Sequence, residues 1–213
     1  VVKGHGHLDG ENPVDELERL LDLAQTPPFG AIHIELTGTA ARRQVTHAPE
    51  ARTQSIQPQF TGDLHRAQEL LARAARPIVV VGLEACVPAY AAAVRRFCSR
   101  LACPVLVTYK AKGVVPDTGP ESAGIFTGGT LEAAGMESAD LIVLIGLDPV
   151  ELIPQAWRYP APVLDIGLAE RPIRYVEPAV GLYGPLDATL DSFGAVGPAA
   201  GWCAEEAPAL RAG

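Results

Sequence analysis

Two short runs, Pro77–Val81 (PIVVV) and Leu141–Ile145 (LIVLI), are apolar at every position. A strand in a half-exposed antiparallel sheet alternates apolar and polar residues, so an unbroken β-branched run belongs to a strand covered on both faces. Such strands form parallel sheets, whose connections lay helices over both surfaces. The neighbouring sequence supplies those helices. Asp63–Ala75 places Leu64, Ala67, Leu70, Leu71 and Ala74 on one face, and Val87–Leu101 carries Val87, Tyr90, Ala91, Val94, Phe97, Cys98 and Leu101 as one apolar stripe. A strand over Pro104–Tyr109, a glycine-rich connection, a helix over Leu131–Met136 and a strand over Pro162–Ile166 follow in order. A strand at Val180–Tyr183 and a helix over Leu186–Phe193 complete the set. Strand and helix in turn, joined by right-handed crossovers, predict an α/β fold: a doubly wound, mostly parallel sheet with helices on both faces.

This Rossmann-like domain spans residues 61–193. Upstream, Val14–Ala24 reads as an amphipathic helix, opened by Asn12-Pro13 and ended by Pro27-Pro28. Gly30–Leu36 (GAIHIEL) reads as a strand. Residues 39–60 are polar, hold two prolines and show no period, which predicts a linker. The Ala/Gly/Pro-rich tail, 194–213, is expected to be partly ordered. Gly4-His5-Gly6-His7 is read as a flexible terminus, with too few ligands for a structural or catalytic metal.

The chain has 213 residues, 48% of them apolar, enough for one α/β domain and an additional piece. Its formal net charge is −8, and no Lys/Arg stripe stands out. Without one it cannot neutralise a run of phosphates, which excludes nucleic acid as a partner. The longest apolar runs have strand length, far below the ~20 residues of a membrane span, so no membrane is expected. Neither a basic-then-apolar leader nor a CxxC pair is present. Cys86 and Cys98 sit on an apolar helical pattern as small hydrophobes, so a reducing, cytoplasmic setting is expected.

Ligands of such a sheet lie outside the carboxyl ends of its strands, at the switch point. The residues there are Gly82-Leu83-Glu84, Thr108 to Lys112, Phe126-Thr127-Gly128-Gly129, Gly146-Leu147-Asp148 and Asp165-Ile166-Gly167. Gly128 and Gly129, ahead of a short helix, would leave backbone N–H groups open to an anion. Lys110 or Lys112 would add a point charge to a phosphate. Asp165 would accept from a ribose hydroxyl. Each has a plainer role as well: Gly82 and Gly146 as tight turns, Lys110 as a solvated end, Asp148 before Pro149 as a turn residue. No G-x-G-x-x-G is present, so the dinucleotide fingerprint is absent. No P-loop, H-E-x-x-H or G-x-S-x-G elbow occurs either, and no nucleophile is assembled with a base.

The ordered segments RPIVVVG, PVLVTYKAKGVVPD, ADLIVLIGLDPVEL and PVLDIG resemble the central domain of thiamine-diphosphate-dependent enzymes of the acetolactate synthase and 2-oxo acid decarboxylase type. Upstream, Val14–Ala24 and FGAIHIEL resemble the end of the family's pyrimidine-binding domain, which makes residues 1–38 a C-terminal remnant of that domain. The resemblance implies a transferase or lyase holding thiamine diphosphate and Mg²⁺ on two other domains, and a homo-oligomer in the full protein. It implies equally that the activating glutamate and the Gly-Asp-Gly…Asn metal motif lie on those partner domains. The chain is therefore expected to be a fragment that is not catalytic alone. In this family the central domain holds FAD, holds ADP or CoA, or serves as an empty scaffold. Where the acetolactate synthases carry Gly-x-Arg at the flavin, this chain reads Gly146-Leu147-Asp148. An acid there repels a diphosphate, which counts against FAD, leaves ADP or CoA open and favours the scaffold.

Overall fold

A computed structural model of the protein describes residues 2–44, 60–153, 156–172, 174–195 and the positions 202, 207 and 210. It falls into two compact units, Val1–Gln57 and Pro58–Gly213.

In the first unit, β1 (Gly4–His7) lies parallel to β2 (Ile32–Glu35), and α1 (Pro13–Gln25) connects them. The segment expected to be a flexible terminus is thus a strand, a correction with a clear cause. A Cβ on Gly4 would stand 2.5 Å from Cδ2 of Leu23, and one on Gly6 would stand 2.2 Å from Oε1 of Glu16 and 2.9 Å from Cδ1 of Leu20. Bare backbone lets α1 settle onto β1 and bury Leu20 completely. The glycines that read as floppiness serve close packing. His5 and His7 face away from that contact and are exposed, as are His33 and Glu35 in the matching positions of β2. Ala40–Arg42 form a single 3₁₀ turn, and most of the expected linker, residues 45–59, lies outside the described residues.

The second unit runs β3 (Thr61–Gly62), α2 (Leu64–Arg73), β4 (Pro77–Val81), α3 (Pro88–Leu101), β5 (Val105–Val107), β6 (Ser122–Ile125), α4 (Ala133–Ser138), β7 (Leu141–Ile145), β8 (Val163–Gly167), β9 (Val180–Tyr183) and α5 (Leu186–Asp191). Among the described residues these strands form one sheet in the order β3-β9-β8-β7-β4-β5-β6, parallel except for β3. The apolar runs that opened the sequence reading, β4 and β7, are its middle pair. Alternate residues go to opposite faces. Val79, Val81, Val143 and Ile145 pack with α3 and α5 on one side, while Ile78, Val80, Ile142 and Leu144 pack with Met136 of α4 on the other. All but Leu144 of these strand residues are wholly buried, as the unbroken runs require.

Two strands of this sheet were not legible in the sequence. β6 (SAGI) has no apolar run and is recruited by β5 with a shift in register at Val105/Leu106. β3 is two residues long and pairs antiparallel with β9. Asp63 caps α2 by accepting the Arg66 N–H at 3.0 Å. A 3₁₀ turn, Leu83–Cys86, precedes α3, so Cys86 is exposed and its thiol donates to the Lys110 carbonyl at 3.3 Å. It is not the buried hydrophobe that the helical pattern suggested, whereas Cys98 is buried. In the tail, the Trp202 indole N–H donates to the Pro77 carbonyl at 2.8 Å, and Ala207 is buried. Most of residues 196–213 lie outside the described residues. Among those described, no helix is long and apolar enough to cross a membrane.

α3 ends on Ala102, held in the left-handed region at φ 48°, ψ 52°, with its N–H on the Cys98 carbonyl. An L-residue there costs roughly 1–2 kcal/mol, against the ~0.5–1 kcal/mol of backbone freedom that a glycine loses on folding. Ala102→Gly should therefore stabilise the chain by about 0.5–1 kcal/mol. The check is the urea midpoint at constant m, and a lower midpoint would contradict the assignment of strain.

Candidate functional site: the switch-point crevice

The chain runs from β4 outward through β5 to β6, then returns to add β7 on the other side of β4. The carboxyl ends of β4 and β7 therefore flank the point where strand order reverses, which is where such sheets take their ligands. Gly82, Gly146 and Asp148 meet there, with Thr108 at the end of β5. A Cβ on Gly82 would lie 2.5 Å from the Gly146 carbonyl oxygen and 2.5 Å from Cα of Leu147. Gly146 itself sits at φ +64°. Both glycines are required by the approach of one strand end to the other, whatever the ligand.

The centre of this crevice is occupied by Glu151, a residue that the sequence reading did not single out. Its Oε1 accepts the N–H of Leu83 at 2.7 Å and the N–H of Asp148 at 2.7 Å. Its Oε2 accepts the hydroxyl of Thr108, a side chain 1% exposed that also accepts the Ala111 N–H at 3.2 Å. A tight turn places it. Asp148 Oδ1 accepts the Val150 N–H at 3.0 Å, Pro149 follows with its fixed φ, and the Glu151 N–H returns to the Asp148 carbonyl at 3.0 Å. Asp148-x-x-Glu151 matches a capping box, in which the second acid reaches back to the first residue's N–H. That signature was available in the sequence; the two further bonds across the sheet were not.

Beside it lies a charge cluster. Glu84 is 7% exposed, and its Oε2 accepts the Leu168 N–H at 2.8 Å. Arg171 pairs with Glu84 Oε1 and, at 2.9 Å, with Oδ2 of Asp148. Asp148, where the acetolactate synthases carry an arginine, is therefore neutralised by a cation from the β8–β9 connection, and that cation is shared by two carboxylates. Tyr175 from the same connection accepts the Leu152 N–H at 2.9 Å and donates to the Pro149 carbonyl at 2.7 Å. The cavity bounded by Glu84, Asp165, Arg171, Tyr175 and Tyr183 encloses about 30 Å³, the scale of one or two waters.

The other expected contacts are dispersed. Lys110 is exposed, and Lys112 pairs with Asp117 at 3.6 Å. Gly128 and Gly129 precede a helix of only six residues. The Gly129 N–H is taken by the Thr127 hydroxyl at 2.9 Å, and the Thr127 N–H by Oε1 of Glu132 at 3.2 Å. Glu132 is 2% exposed. A wider hollow of about 280 Å³ adjoins this loop, walled by Leu106, Tyr109, Leu131 and the same Glu132. Its charged wall is an acid, so it offers an anion nothing. Among the described residues, no group of three or more His, Cys, Asp or Glu side chains is placed to hold a metal ion.

Asp165, expected to meet a ribose, points at a tyrosine instead. The Tyr183 hydroxyl donates to its Oδ2 at 3.0 Å, lying across Gly181, where a Cβ would stand 2.5 Å from that hydroxyl. Burial pushes the Asp165 carboxyl up to about 6, against the pull of the tyrosine hydrogen bond, and the nearby Glu84 carboxylate adds to the rise. Burial and the facing Asp165 push the Tyr183 phenol up as well.

A carboxyl whose folded value is raised contributes stability that is complete below about pH 4 and is lost as pH rises through about 6. Asp165→Asn, which keeps an acceptor for Tyr183, should be more stable than the parent at pH 8 by about 1–3 kcal/mol, with the difference shrinking below pH 5. Urea titrations across pH 4–8 check this, and a gap that does not change with pH would refute it.

Comparison with known proteins accords with this geometry. Residues 64–193 match the family described as thiamine pyrophosphate enzyme, central domain. A 2-hydroxyacyl-CoA lyase of Oryza sativa subsp. japonica is 30% identical over 166 residues, which cover 74% of this chain and 28% of the lyase. The fold matches benzoylformate decarboxylase from Polynucleobacter necessarius with a TM-score of 0.67 at 20% identity, over 92% of this chain and 39% of the decarboxylase. It also matches a Mycobacterium smegmatis protein assigned as thiamin diphosphate-dependent, with a TM-score of 0.64 at 19% identity, over 90% of this chain and 38% of that one. The chain spans well under half the length of each of these relatives. On the family match across the sheet and both of its helical layers, the chain belongs to the central-domain family of thiamine pyrophosphate enzymes.

Proposed function

We propose that this domain is a non-catalytic scaffold within a thiamine-diphosphate- and Mg²⁺-dependent lyase or decarboxylase acting on 2-oxo acids or related acyl compounds. The activating acid and the metal motif lie, on this reading, on other domains of the same enzyme, which works as a homo-oligomer. The observation that carries the proposal is the saturation of the crevice by the chain itself. Glu151 holds two N–H groups and one hydroxyl at the ends of β4, β7 and β5, and Glu132 holds the N–H of Thr127 in the glycine-rich loop. Arg171, the cation at the switch point, is already paired twice. A diphosphate would have to displace the carboxylates of Glu151 and the buried Glu132 and would meet Asp148 and Glu84 besides, which does not fit FAD, ADP or CoA.

A second reading, a binding module for ADP or CoA, draws on one observation: the 30% identical relative is a lyase named for an acyl-CoA. The two readings part cleanly in calorimetry. The scaffold reading expects no heat from millimolar ADP, CoA or FAD added to the wild-type chain, and no 2-oxo acid decarboxylation by the chain alone with thiamine diphosphate and Mg²⁺. Saturable binding of ADP or CoA would select the module, a flavin absorbance band in the purified protein would restore FAD, and turnover by the chain alone would defeat both.

A further inference from the structure

Three donors converge on the carboxylate of Glu151 from the ends of three adjacent strands: Leu83 N–H after β4, Asp148 N–H after β7 and the Thr108 hydroxyl after β5. A capping box accounts for the Asp148 bond and no other. The bonds to Leu83 and Thr108 cross the sheet, at the position where a sheet of this order receives the charged part of a ligand. Geometry around Glu151 keeps it there. The Asp148–Glu151 turn holds it from one side, and Tyr175 holds Pro149 and Leu152 from the other. The acids Asp148 and Glu84 beside it in the crevice are both held by Arg171. Gly82 completes the seat, since a Cβ there would stand 2.6 Å from Glu151 Oε1.

We infer that Glu151 is a built-in anion: its carboxylate fills the seat of a ligand phosphate, and it is the residue that makes this domain refuse phosphate-bearing ligands. This rests on the scaffold reading and supplies its cause. With the carboxylate gone, Leu83, Asp148 and Thr108 present an unfilled set of donors beside Arg171, sized for one tetrahedral or planar oxyanion. A small oxyanion should then rescue what the substitution costs.

The test compares thermal unfolding of the wild-type chain, Glu151→Ala and the near-isosteric Glu151→Gln in inorganic phosphate, with sodium chloride at matched ionic strength as the control. Both variants should melt below wild type. Millimolar phosphate should raise the Tm of Glu151→Ala saturably by several degrees while chloride does not; Glu151→Gln, whose amide still fills the seat, and wild type should both stay unmoved. Should Glu151→Ala lack a cooperative transition in buffer, phosphate should restore one. A folded Glu151→Ala that ignores phosphate overturns the inference. So does a phosphate effect of equal size in wild type or in Glu151→Gln, or a loss of folding in Glu151→Ala that phosphate does not reverse. Failure here, with a wild type still blind to ADP, removes only the role given to Glu151; ADP binding by wild type removes the scaffold reading itself.

Discussion

Everything in the second unit depends on the burial of β4 and β7 from both sides. A strand covered above and below has no wet surface along its length, so its chemistry is confined to its ends. There the ladder stops and backbone N–H groups lose their strand partners, and a buried donor left unpaired costs about 1–3 kcal/mol. Either a ligand or the chain must meet them. In this protein the chain does so, through a four-residue turn that folds a glutamate back over the strands it has just left.

The charges around that turn follow from the same economy of partners. Three carboxylates, Glu84, Asp148 and Glu151, crowd the switch point with one guanidinium among them. Glu151 is held by dipoles, whereas the other two share Arg171. A site built for a diphosphate has the opposite composition, with cations and open N–H groups awaiting an anion. Asp165 belongs with this picture: its carboxyl is largely buried and accepts the Tyr183 hydroxyl.

Much of the fold was legible because its signals are strong and local. Unbroken β-branched runs located β4 and β7, and 3.6-residue apolar stripes located α1, α2 and α3. The misses share a physical cause. β1 and β6 are rich in glycine and small residues, and their strand character comes from what packs or pairs against them. β3 is too short to carry a pattern. At the site, the sequence pointed to the right loops through Gly82, Gly146 and Asp148, because strand ends follow from strands. It did not reveal what fills them. Arg171 and Tyr175 reach the crevice from the β8–β9 connection, with no periodicity to announce them, and Glu84, located at the end of β4, gave no sign of its pairing with Arg171. Only Glu151 left a trace, three residues after Asp148.

The two edges of the sheet bear on how such a domain can meet its neighbours. At one side stands β3, two residues with Gly62 at φ +115°, running against its neighbour; at the other stands β6, joined to β5 through a slipped register. Short, twisted or irregular margins are poor templates for a further strand. The sheet is thus closed to growth by hydrogen-bond continuation in either direction. A neighbour meeting the described surface would then find side chains on helices and loops more readily than a free ladder, and such a contact can be selective and can be released without tearing a β-sheet.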